Sequence, residues 1–72
     1  MNFQDLLKAE KQYSKWLREQ PFVESSKVQK NEEGEWALWV CYKTGMNSAQ
    51  KRKIATELGG IPMKFHEIKE SS

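Results

Sequence analysis

The residues of this 72-residue chain with intrinsic chemical reactivity are few, and the first pair to consider is its single cysteine and single histidine, Cys41 and His66. A thiolate beside an imidazole base is a common arrangement for nucleophilic catalysis. Cys41, however, lies in the most apolar run of the chain, where a cysteine behaves as a small hydrophobic residue. Neither residue lies in a recognisable catalytic motif, so the pair does not indicate an enzyme.

Other catalytic and cofactor sites are also poorly supported. The acidic residues at positions 32, 33 and 35 lie in a segment typical of an exposed turn, which lacks the apolar walls used in acid–base catalysis. One cysteine and one histidine are too few for a structural zinc site, and no glycine-rich phosphate loop precedes a helix. The sequence therefore predicts a protein that is not an enzyme and has neither a cofactor nor a metal ion.

A different chemistry is indicated by Trp39 and the cations near it. Trp39 belongs to residues 36–44, a run that is apolar on both faces of a strand. An aromatic ring on a sheet surface stacks unpaired bases while neighbouring lysines contact phosphates. Between residues 36 and 56 there are four cations and no acid. The competing interpretation is that a helix or the aliphatic stem of Lys27 covers the Trp39 ring.

The spacing of apolar side chains predicts the elements that position these residues. Residues 3–19 carry apolar side chains at three- and four-residue spacing, which predicts an amphipathic helix with Asn2 as its N-cap and Pro21 beyond its end. The other expected elements are strands over residues 22–30, 36–44 and 61–68, and a second helix over residues 48–58.

The connections predict how these elements assemble. Residues 31–34 form a turn signal in which Gly34 closes a three-residue hairpin loop, and this loop pairs Lys27 with Trp39. The second helix is a crossover, so the second and third strands should run parallel. The predicted fold class is α+β: a two-layer αββαβ domain whose three-stranded mixed sheet, in the order 1-2-3, is packed on one face by two helices. Residues 1–72 form one domain, with residues 69–72 as a frayed tail.

This fold predicts a binding surface on the sheet face away from the helices, supplemented by the basic start of the second helix. Trp39 would stack a base, and the surrounding basic side chains would contact phosphates. The predicted site residues are Trp39, Lys27, Lys43, Lys64, His66, Lys51, Arg52 and Lys53.

The sequence thus predicts a small non-enzymatic binding module whose partner is nucleic acid, with single strands as the form that suits a stacking surface. The alternative is a protein-interaction module, such as an inhibitor, an adaptor or a subunit that forms a homodimer. It would use a sheet edge, or Trp39 as an anchor. No apolar run spans a bilayer and no signal peptide is apparent, so we expect no membrane partner and a cytoplasmic, intracellular location.

Overall fold

The fold was analysed in a computed structural model, which describes residues 2–69. The elements are α1 (Phe3–Glu19), β1 (Val23–Lys30), β2 (Trp36–Lys43), α2 (Ser48–Glu57) and β3 (Met63–Ile68). The strands form one sheet in the order β1-β2-β3, with β1 antiparallel and β3 parallel to the central strand β2. The predicted α+β fold, with its mixed three-stranded sheet, is confirmed. Apart from Lys69, the predicted frayed tail lies outside the described residues.

The two ends of helix α1 are set by an N-cap residue at its start and a proline beyond its end. The Asn2 side chain accepts a hydrogen bond from the Asp5 backbone N–H at 2.8 Å, which satisfies one of the free amides at the helix start. The helix stops at Glu19, two residues before Pro21. Neither helix of the described chain is long and apolar enough to cross a membrane.

The β1–β2 hairpin has the predicted register, because its turn is closed by a dense set of local hydrogen bonds. The Asn31 side chain accepts from the backbone N–H groups of Glu33 and Glu35 at 2.9 and 3.0 Å. Gly34 has a φ of +81°, a conformation that glycine adopts without steric cost. The three-residue loop therefore pairs Lys27 with Trp39, as the sequence predicts.

Helix α2 is held at its start by a capping box. The Asn47 side chain accepts from the Gln50 N–H at 2.9 Å, and the Gln50 side chain accepts from the Asn47 N–H at 3.1 Å. The sequence predicts a cap at Asn47 or Ser48, and the structure assigns it to Asn47. The helix ends at Glu57, with Leu58 as its C-cap.

The hydrophobic core lies on one face of the sheet, between the strands and both helices. Its fully enclosed centre includes Leu38 and Val40, which project from the same face of β2. The buried cluster consists of Leu6, Leu17, Leu38, Val40, Tyr42, Met46, Ile54 and Leu58. Because α1 and α2 both contribute to this single cluster, no helix of residues 2–69 covers the opposite face of the sheet.

Two strands begin later than the sequence predicts. β1 begins at Val23 instead of residue 22, because Phe22 has a φ of +71°, outside the extended region. β3 begins at Met63 instead of residue 61. Pro62 has no N–H to donate to a strand ladder, although its carbonyl accepts from the Leu38 N–H at 2.9 Å.

Two adjacent leucines of α1 test this packing. Leu6 is fully buried, whereas Leu7 is 41% exposed. We expect Leu6→Ala to lower the free energy of unfolding by about 2–5 kcal/mol, because it leaves a cavity in the core. Leu7→Ala should change it by no more than about 0.5 kcal/mol. Urea denaturation followed by circular dichroism measures both values, and equal losses would contradict the described orientation of α1.

Candidate functional site

The sheet face opposite the helices carries the aromatic and basic residues predicted from the sequence, and we call it the open face. Strand alternation and the observed pairing place ten side chains there. They are Ser25, Lys27, Gln29, Ala37, Trp39, Cys41, Lys43, Lys64, His66 and Ile68. Three of these ten residues are lysines and none is acidic. The open face is therefore a cationic surface with one tryptophan on its central strand.

The Trp39 ring is half-buried, although no helix covers it. The Nζ atoms of Lys27 and Lys64 lie over the ring, 5.7 and 4.8 Å from its centroid. The imidazole of His66 lies 5.7 Å away, centroid to centroid, at an interplanar angle of 46°. These side chains come from both neighbouring strands, which pair with β2 at and beside Trp39. Among the described residues, Trp39 is thus covered by lysine side chains and the His66 ring, and not by a second layer.

Small residues flank Trp39 along β2. Ala37 and Cys41 project from the open face, yet they are only 3% and 5% exposed. In the absence of a helix on this side, the longer side chains of the face must cover them, as lysine stems commonly do. Cys41 pairs in register with His66, but the low exposure of Cys41 shows that it lies beneath the surface of the face.

Two of the open-face lysines meet carboxylates at the edge of the face. Lys43 forms an ion pair with Glu24 at 2.8 Å, and Lys64 forms one with Glu32 at 3.3 Å. All four side chains are at least one-third exposed, and exposed pairs of this kind contribute about 0–1 kcal/mol. Within residues 2–69 no ion pair is found for Lys27. Of the three open-face lysines, Lys27 is therefore the one whose charge has no carboxylate partner among the described residues.

The basic start of α2 lies on the other side of the sheet from Trp39. The Lys51 ammonium sits 4.8 Å from the ring centroid of Tyr42, a core residue on the helix-covered face. Arg52 and Lys53 are exposed on the helix surface. The predicted site residues therefore form two groups, one on the open face and one on α2, and not one continuous face.

Phe22 is an exposed aromatic residue that the sequence does not single out as a site residue. It lies between α1 and β1 and is 42% exposed. Its carbonyl accepts a hydrogen bond from the Lys43 N–H at 2.7 Å, so Phe22 lies beside the last residue of β2. In the sequence it is indistinguishable from the first apolar residue of a strand, whereas the structure gives it a positive φ and leaves it exposed.

The indole N–H of Trp39 is buried without a hydrogen-bond acceptor, and it is the only buried side-chain nitrogen or oxygen of the described residues left in this state. An unsatisfied buried donor costs about 1–3 kcal/mol. The face therefore retains a tryptophan at a position where its polar atom does not stabilise the fold.

The substitution Trp39→Phe tests this feature. It removes the unsatisfied donor, which stabilises the fold, and it replaces the indole by a smaller ring, which reduces packing and destabilises the fold. Because these two effects offset each other, we expect the free energy of unfolding to stay within about 1 kcal/mol of the wild-type value. Trp36→Phe is the matched comparison. It makes the same change on the opposite, core-facing side of β2, where the Trp36 ring packs 4.5 Å from that of Phe3. Urea denaturation measures both. A loss above about 2 kcal/mol for Trp39→Phe would show that the N–H has an acceptor in solution.

We compared the chain with models of protein families, with curated proteins and with solved structures, and none of them matches it.

Proposed function

We propose that this domain binds single-stranded nucleic acid on its open face, without catalysing a reaction on it. The observation that carries the proposal is the pair of lysine ammonium groups over Trp39 on a face whose strand residues include no acid. An aromatic ring stacks any base, and flanking cations follow the phosphate backbone. The open face supplies both kinds of contact within one small area.

The contacts already made by Trp39 do not prevent base stacking. A lysine over an aromatic ring at an exposed site contributes about 0.5–1 kcal/mol, whereas a stacked base contributes about 1–3 kcal/mol. A base can therefore displace Lys27 or Lys64 from the ring at a net gain. The displaced ammonium stays attached to a neighbouring strand, where it is within reach of a phosphate next to the stacked base. Under this proposal Lys27 and Lys64 cover the Trp39 ring in the free protein and are displaced from it by a base on binding.

The open-face lysines should also prefer contacts with phosphates to their existing contacts with the carboxylates at the edge of the face. The Lys43–Glu24 and Lys64–Glu32 pairs are exposed and weak. A nucleic-acid strand presents several phosphates at once and releases condensed counterions when lysines bind them. Lysines contact phosphates as point charges without reading base edges, so the proposed binding has little sequence preference.

The salt dependence of binding tests this proposal. With three phosphate contacts, a slope of about −0.7 per contact predicts that the affinity falls about 20-fold between about 50 and 200 mM salt. Lys27→Gln should weaken binding and reduce the slope by about 0.7. Fluorescence anisotropy with a labelled oligothymidylate of about twelve nucleotides measures both quantities. Lys8→Gln, an exposed lysine of α1, is the control and should leave both unchanged.

Trp39→Ala in the same assay isolates the stacking contribution and should weaken binding by about 1–3 kcal/mol. No binding at about 50 mM salt would refute the proposal. The open face would then be better explained as a protein-binding surface with Trp39 as its anchor, whose affinity barely responds to salt. Equal binding by Lys27→Gln and wild-type protein would place the nucleic acid elsewhere on the molecule.

A further inference from the structure

Phe22 combines two properties that a purely structural residue rarely combines. Its φ of +71° lies in the left-handed region, which is strongly disfavoured for a bulky aromatic residue and is readily adopted by glycine and asparagine. The residue is nevertheless 42% exposed, so its burial offsets only part of the cost of this strain. Strained residues of this kind concentrate at functional sites. The position favours a small polar residue for folding, and the chain places an aromatic ring there.

Phe22 has contacts on both sides of the sheet, one towards the lysines of the open face and one towards the basic start of α2. On one side its carbonyl is bonded to the N–H of Lys43, an open-face lysine at the end of β2. Its ring lies against Gly45, in the loop that leads to α2: a Cβ at Gly45 would come within 3.0 Å of the ring. The preceding residue, Pro21, lines a small cavity together with Lys53 of α2. Phe22 therefore lies at the end of the sheet, between the open face and the basic helix.

We propose that Phe22 is a second base-stacking residue, and that a bound strand runs from Trp39 past Lys43 to Phe22 and on towards Lys53. This inference rests on the proposed function of the open face. Trp39 and Lys43 are four residues apart on β2, which corresponds to about 13 Å. At a stacked rise of about 3.4 Å per nucleotide, this first segment accommodates about four nucleotides, and the continuation to Phe22 and Lys53 adds to that number, within the usual range of about 4–16 for a small single-strand site. The path also accounts for the basic start of α2, which Trp39 alone does not reach.

The test replaces the ring of Phe22 by a residue that accepts the same backbone conformation. Phe22→Asn removes the stacking surface while the left-handed conformation remains accessible. We expect its affinity for the labelled oligothymidylate to fall about 5- to 150-fold, with the urea midpoint no lower than that of the wild type. Phe22→Tyr keeps an aromatic ring and should retain the affinity. Leu7→Asn is the matched control and should not affect binding, because Leu7 is the other large exposed hydrophobic side chain among the described residues, at 41%.

A second measurement needs no variant. Ultraviolet crosslinking of an oligonucleotide that contains 5-iododeoxyuridine, followed by peptide mass spectrometry, should give adducts at both Trp39 and Phe22. Adducts at Trp39 without any at Phe22 would overturn the inference and leave the proposed function intact. If the Phe22→Asn variant binds the oligonucleotide with the affinity of the wild-type protein, the inference about Phe22 is likewise overturned and the proposed function stands. If the wild-type protein binds no oligonucleotide at low salt, the proposed function fails first. Should Phe22→Asn not fold, the crosslinking result decides.

Discussion

The packing of β2 is the interaction on which the rest of the structure depends. Among the described residues β2 is the only strand paired on both sides, and its residues are almost all apolar, so it favours burial on both faces. The two helices of residues 2–69, however, both pack on the same side of the sheet. The face of Leu38 and Val40 becomes the core, and the face of Trp39 is left to its own side chains. The open face is thus a consequence of both described helices packing on the same side of the sheet.

This constraint explains the arrangement of charges on the open face. A bare tryptophan between Ala37 and Cys41 would form a continuous apolar patch, which promotes unwanted association. Lysines are suited to covering it, because their stems lie on apolar atoms while the ammonium groups stay in water. Lysine chains are also weakly held, so a ligand with a stronger contact can replace them. The lysine side chains therefore reduce the exposed apolar area of the open face, and under the proposed function an anionic ligand would displace them from the ring.

Much of this fold was predictable, because its main determinants are local. The Asn31 turn lies close in sequence to the strands it joins, and its loop length fixes which residue faces Trp39. The Asn2 and Asn47 caps likewise act within three residues. The division of the predicted site also follows from the predicted fold itself, because a crossover helix that packs on the core face carries Lys51 away from Trp39.

The features that sequence reasoning missed depend on how distant segments meet. The sequence predicts that the third strand runs parallel to the second and that Lys64 belongs to the site, but no local pattern specifies the register that places the Lys64 ammonium over Trp39. Phe22 is the clearest case. Its backbone must turn from the end of α1 into hydrogen-bonding distance of Lys43, and the Phe22 ring must fit against Gly45. These two tertiary contacts together select a conformation that propensity alone opposes, since aromatic residues favour strands and disfavour positive φ. Because these contacts override the local preference and still leave Phe22 exposed, packing in the described fold does not by itself account for an aromatic residue at this position.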